Sequence, residues 1–162
     1  MPNVFLPNVT IPASDFSRLK QLARPAAERG SDADALFLMS EIKRAEVVPD
    51  SAVRLNSIVT MGSWVTFWTN WGFPRETRQL VYPEDYTSDQ TQIPVLSALG
   101  AALVGLKVGS EIPFFAAGCT NVVRIEGVSR RTPDDVVTLL LRGPIIKLGP
   151  SFDDEDTGPT AA

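Results

Sequence analysis

Histidine is absent from this 162-residue chain, and cysteine occurs once, as Cys119. The first absence removes the commonest general acid/base near neutral pH and the commonest metal ligand. Ser-His-Asp and Cys-His machinery and the usual zinc spacings are thereby excluded. Any catalysis would have to use carboxylates, lysine or a metal held by another molecule. A single cysteine rules out an internal disulfide, so nothing points to an oxidising compartment. No run approaches the roughly 20 apolar residues that span a bilayer. The first residues lack a basic segment leading into an apolar one, and Pro2, Pro7 and Pro12 interrupt them. The expectation is a cytoplasmic protein with no membrane partner.

Net charge is also scarce outside one segment. Four of the 19 acids form the run Asp153-Asp154-Glu155-Asp156, which leaves 15 acids against 15 bases elsewhere. A balanced body without a basic run gives little counterion-release drive toward DNA or RNA, so no direct nucleic-acid partner is expected. The acidic run reads either as a solvated end or as a nucleic-acid mimic that screens a basic surface. With 44% hydrophobic and 21% charged residues, the chain can bury one globular core and carry a small appendage.

Residues 1–12 mix prolines with Val4, Phe5, Leu6, Val9 and Ile11, which predicts an extended arm. From Ala13 the period changes: Phe16, Leu19, Leu22 or Ala23, and Ala26 recur at helical steps. Pro25 is expected to kink or end that helix. Gly30 stops it, and Ser31 or Asp32 can cap a second helix with Ala35, Leu38, Met39, Ile42 and Ala45 on one face. Val48-Pro49 closes it. Residues 13–48 thus read as a short antiparallel helical hairpin, its arms about 18–24 Å long.

A strand-rich region follows. Ile58 to Trp68 and Thr77 to Tyr82 read as a strand and its return, joined by turn chemistry at residues 70–74. Gln92 to Leu96 is a short strand whose proline favours an edge. Ser97 can cap a helix running to about Val104, with Gly105 as its stop. Ile112 to Phe115 and Val122 to Val128 complete the strands. Val136 to Leu141 and Ile145-Ile146 add a strand or two in an extension over 131–150, and the acidic tail 151–162 reads as disordered.

Three blocks in order carry a resemblance: Val59 to Phe67, Leu80-Val81-Tyr82-Pro83, and Ile93 to Ile112 with its centre Ser97 to Gly109. They resemble the C-terminal domain of the bacterial Gre transcript-cleavage factors over residues 55–130. The short hairpin in front makes the chain similar to the Rnk-like members of that family. The resemblance implies an α+β protein: a short helical hairpin (a stunted coiled coil), then an FKBP-like domain with a curved antiparallel sheet and one small helix, plus a C-terminal extension. It also implies docking on RNA polymerase, at the rim helices of the β′ subunit beside the secondary channel, in competition with other channel factors. The matching contact positions are Leu96, Ser97 and Ala98, with Leu99 behind them. This sequence has Ala98 where the family usually has proline.

Asp32 and Asp34 flank the hairpin tip and carry two readings. In cleavage-stimulating relatives, tip carboxylates help hold a metal ion in the polymerase active site, which suits hard oxygen ligands. Alternatively, Asp32 caps the second helix and Asp34 sits in its first turn, favoured by the helix dipole. The stretch Gly30-Ser31-Asp32-Ala33-Asp34-Ala35 departs from the family order Gly-Asp-x-x-Glu-Asn-Ala-Glu, and the arms are short. Capping is therefore the preferred reading, with no catalytic residue, resident metal or cofactor expected.

Leu36-Phe37-Leu38-Met39 covers more than one helix face, either as packing or partly as an exposed contact patch. Trp64, Phe67, Trp68, Trp71 and Phe73 crowd one hairpin. They invite a prolyl-isomerase pocket, but alternation sends Trp64 and Trp68 to one face and Phe67 to the other. Cys119 follows Gly118 in an expected turn and has no nearby base to activate it. The expected function is therefore a non-enzymatic polymerase regulator. Its alternatives are a cleavage auxiliary donating Asp32 and Asp34 to polymerase-bound Mg²⁺, or an isomerase.

Overall fold

The computed structural model describes residues 5–70 and 75–130. Trp71 and Phe73, the expected extension over 131–150 and the acidic tail lie outside the described residues.

The N-terminal arm ends in strand β1 (Thr10–Pro12), which runs directly into helix α1 (Ala13–Glu28). Leu19, Ala23 and Ala26 are the buried stripe of α1. Pro25 does not end the helix. It sits on the exposed side, and the stripe continues past it, so packing holds the turn that its missing N–H weakens. Gly30, at a φ of 71°, reverses the chain. Helix α2 (Ala33–Arg44) then packs against α1 and buries Ala35, Leu38 and Ile42.

Strand β2 (Glu46–Val48) follows at once and pairs in parallel with β1. The three-residue partnership brings the arm back to the far end of the helical pair, which the sequence pattern did not indicate. Thr10 N–H also donates to the carbonyl of Gly105 at 2.9 Å, tying β1 to the globular part. A Cβ on Gly105 would overlap the Val9 side chain, so this approach requires glycine, whose φ here is 78°.

The main sheet has five strands: β3 (Trp64–Thr69), β4 (Glu76–Val81), β5 (Gln92–Pro94), β6 (Glu111–Ala116) and β7 (Cys119–Ser129). Their order is β5-β4-β3-β7-β6. The sheet is mixed rather than wholly antiparallel, because β5 pairs with β4 in parallel. The loop between them carries the chain back to Gln79, midway along β4, before it pairs again. A register shift between Thr66 and Phe67 bends the long β3–β7 pair, as a bulge does.

Strand β3 begins later than expected. Residues 53–57 form a 3-10 turn, and Ser63 Oγ donates to the Thr60 carbonyl at 2.7 Å, closing a loop through Gly62 at a φ of 84°. Cys119 is not in the turn but opens β7. Helix α3 (Ala98–Leu103) covers the sheet, packing against α2, β5, β6 and β7. Its Gly100, Ala101, Ala102 and Leu103 are all buried. One continuous core joins Leu19, Leu38 and Ile42 of the helical pair to Phe67, Leu80, Leu103, Ile112 and Ile125. The helices are therefore seated on the sheet domain.

Candidate functional site

The segment Pro94 to Gly100 leaves the edge strand β5 and enters α3 within six residues. Two features fix it. Ser97 Oγ donates to the Pro94 carbonyl at 2.7 Å and accepts from the Gly100 N–H at 3.0 Å. Gly100 lies so close that a Cβ there would be 2.9 Å from the Cα of Val95 and nearer still to the Pro94 carbonyl oxygen. The first is an N-cap bond that satisfies a donor orphaned at the helix start. The second admits no side chain at all. Leu96, Ser97, Ala98 and Leu99 are each half-buried, and the three apolar ones rest on the edge of the core while keeping part of their surface outward. The loop is thus a short apolar ridge of fixed shape.

The tip acids come to the same corner. Asp32 accepts from the Ala35 N–H at 3.0 Å and is the N-cap of α2. Asp34 lies near the backbone N–H of Ala98. Burial pushes the Asp34 carboxyl above the ordinary carboxylate value, the Asp32 charge adds to this, and the Ala98 N–H opposes it. Sequence reasoning treated tip and loop as two separate sites. The fold joins them, because α2 lies against α3.

Beside this corner an apolar groove of about 360 Å³ opens between α2 and the edge strand β6. Asp34, Phe37, Pro113, Phe115 and Thr120 contribute to its walls, and Phe115 is 65% exposed. Phe37 was legible as part of an apolar run. Phe115 was legible only as a strand residue, since nothing local tells which face of an edge strand is left uncovered.

The remaining perturbed groups form an anchor. Asp15 accepts from the Met61 N–H and the Tyr82 hydroxyl, each at 3.4 Å, and burial raises its carboxyl. Burial likewise raises the Tyr82 phenol, with the Asp15 charge adding to it. The Arg18 guanidinium lies 3.7 Å from the Tyr82 ring centroid and pairs with Glu84. These contacts hold α1 onto the end of β4.

Among the described residues the aromatics of this hairpin do not converge. Phe67 is buried in the core, whereas Trp64 and Trp68 lie half-buried on the other face, with the Trp68 indole donating to Glu126. Cys119 is exposed. Among the described residues there is no group of three or more Cys, Asp or Glu side chains placed to hold a metal ion. No helix among them is long and apolar enough to cross a membrane.

Comparison with known proteins agrees with this architecture on both sides of the helix–sheet junction. Residues 54–130 match the family described as transcription elongation factor, GreA/GreB, C-term, and residues 7–48 match the Rnk N-terminus. The regulator of nucleoside diphosphate kinase of Escherichia coli (strain K12) is 36% identical over 107 residues, covering 65% of this chain and 76% of the relative. Its Shigella flexneri counterpart gives the same figures. The structure of a prokaryotic transcription elongation factor GreA/GreB from Nitrosomonas europaea is 33% identical, with a TM-score of 0.59. It covers 76% of this chain and 98% of that one. A Rnk-type helical N-terminus joined to a GreA/GreB C-terminal domain places the chain in the GreA/GreB transcription elongation factor family, among its Rnk-type members.

Proposed function

We propose that this protein binds RNA polymerase and regulates it by occupancy. The FKBP-like sheet domain presents the ridge Leu96, Ser97, Ala98 and Leu99 to the rim helices of the β′ subunit at the secondary channel. A bound copy excludes other channel factors by mass action, with no chemistry of its own. The observation that carries this reading is the fixed shape of the loop. The Ser97 bonds and the close approach of Gly100 to the Pro94–Val95 backbone brace the loop, which would reduce the ordering entropy lost on binding.

The same geometry weighs against a cleavage auxiliary. Asp32 is engaged as a helix cap, and Asp34 is half-buried near Asp32 and Ala98. A carboxylate engaged in a cap is less available to a metal held by another molecule. Among the described residues the aromatics do not line one pocket of the kind an isomerase would need, since Phe67 and the tryptophans Trp64 and Trp68 lie on opposite faces.

Co-purification with RNA polymerase tests the proposal. Wild-type chain is expected to bind at micromolar concentration and moderate salt and to displace a Gre factor. Leu96→Asp or Ala98→Asp is expected to abolish both. Binding unchanged in these variants would remove the assignment of the loop. Absence of binding by the wild type would remove the function.

A further inference from the structure

The outward face of the helical pair is unlike the face seated on the sheet. A solvent-open groove of about 560 Å³ runs between α1 and α2. Its apolar floor includes Leu36, which is 47% exposed, and Met39, one turn further along α2. Lys20 and Arg24, one turn apart on α1, line one wall, and Lys43 of α2 stands on the other. The lone carboxylate in the groove, Glu28, already pairs with Arg24 at 2.9 Å. Among the described residues no acidic side chain pairs with Lys20 or Lys43. The chain as a whole carries more acids than bases, so this local excess of positive charge is produced by the fold.

We infer that this groove docks an amphipathic helix of acidic character from a partner protein. Two packed helices offer a channel that a third helix fills at an interaxial distance of about 8–10 Å. Leucine-type side chains of the incoming helix would cover Leu36 and Met39. Its flanking Glu or Asp would meet Lys20, Arg24 and Lys43 at the rim, where charge sets orientation and choice of partner. A nucleic acid fits worse, because phosphates would take the cations and leave the apolar floor uncovered. A second copy of the chain also fits worse. A two-fold contact through this face would set each basic wall near its own replica. The inference does not depend on the polymerase reading, since the groove lies outside the Leu96 to Leu99 ridge.

Fluorescence anisotropy with the full chain provides the test. The probes are a labelled peptide of about 14 residues, or four helical turns, with leucines on one face and glutamates beside them, and the same peptide with lysines replacing the glutamates. A single-stranded RNA of mixed sequence is the third probe. The acidic peptide is expected to bind, and Leu36→Asp to weaken it about tenfold or more, as for a central contact residue. The double variant Lys20→Glu/Lys43→Glu is expected to lose the acidic peptide and gain the basic one. Circular dichroism confirms that these surface variants stay folded. Three results would overturn the inference: equal binding of both peptides, no effect of Leu36→Asp, or preference for RNA with sensitivity only to the lysine changes.

Discussion

The carboxylate of Asp34, in the first turn of α2, lies near the backbone N–H of Ala98, the first residue of α3, which favours its charged form. This proximity brings the reversal between α1 and α2 to the ridge proposed to meet the polymerase. In this half-buried corner burial and the neighbouring Asp32 both disfavour the Asp34 charge.

That balance has a pH signature. The folded-state value of Asp34 is raised above its unfolded value, so the native state holds a proton more readily than the unfolded one. The associated stability is fully present below the ordinary carboxylate value and is lost as pH rises through the raised one. Asp34→Asn removes the charge at nearly unchanged size. Its stability relative to wild type is expected to grow as pH rises from about 4 toward neutrality. Urea denaturation across that range checks this, and a flat difference between wild type and Asp34→Asn would contradict it.

Gly100 offers a test of the ridge itself. Adding one methyl group forces it against the Pro94 carbonyl and the Val95 backbone, neither of which is the flexible end of a side chain. Gly100→Ala is expected to destabilise the chain by about 1–3 kcal/mol, as overpacking does. It should also shift Leu96 to Leu99 outward, so polymerase affinity falls even under conditions where the variant is fully folded. Stability lost without any change in binding would detach the shape of the loop from its proposed role.

Elements with strong local signals were legible in advance. Helix α2 announced itself through Asp32 and the spacing of Ala35, Leu38 and Ile42, and α3 through Ser97 and Gly105. What escaped reading depends on residues far apart in sequence. The β1–β2 pair is three residues long on each side and has no pattern of its own. Strand β3 was placed too early because Ile58 to Thr60 has strand-forming side chains, while the Gly62 turn and the Ser63–Thr60 bond decide otherwise. Pro25 looked like a stop because its local cost is visible and the buried stripe that outweighs it is not. At the candidate site Leu96 to Leu99 were picked out as a segment through the family resemblance, but the arrival of Asp34 near Ala98 was beyond any local rule. The basic groove escaped for the same reason, since Lys20, Arg24 and Lys43 form no run.

Glu41 is the least expected buried residue. Its side chain is 3% exposed and is held by Arg44, whose Nε lies 3.0 Å from Glu41 Oε1, with a second bond from the guanidinium. Arg44 also donates to the carbonyl of Pro7, which pins the arm leading into β1. Removing Arg44 leaves the buried Glu41 charge without compensation, so Arg44→Ala is expected to cost about 3–5 kcal/mol. Replacing both, as Glu41→Met/Arg44→Met, is expected to cost much less than the two single changes together. Protease should cut near Pro7 more readily in any variant lacking Arg44. Additive losses in the double-mutant cycle would show that the pair does not act as a unit.

The hairpin between β6 and β7 contains a correctable strain. Ala116 pairs with Cys119, leaving Ala117 and Gly118 as a two-residue loop with φ of 53° and 79°. Two positive values define the turn that matches the twist of the strands, and Asn-Gly is its favoured sequence. Alanine in this conformation sets Cβ against the following carbonyl at a cost of about 1–2 kcal/mol, most of which asparagine avoids. Ala117 is exposed and makes no contact with the core, so the backbone effect should stand alone. Ala117→Asn is therefore expected to raise stability by about 0.5–1 kcal/mol. Ala117→Gly should gain less, because glycine also loosens the unfolded chain, and Ala117→Val should lose stability. Urea midpoints at a constant m-value provide the measurement. A valine variant as stable as wild type would mean that the strain read from this turn does not exist.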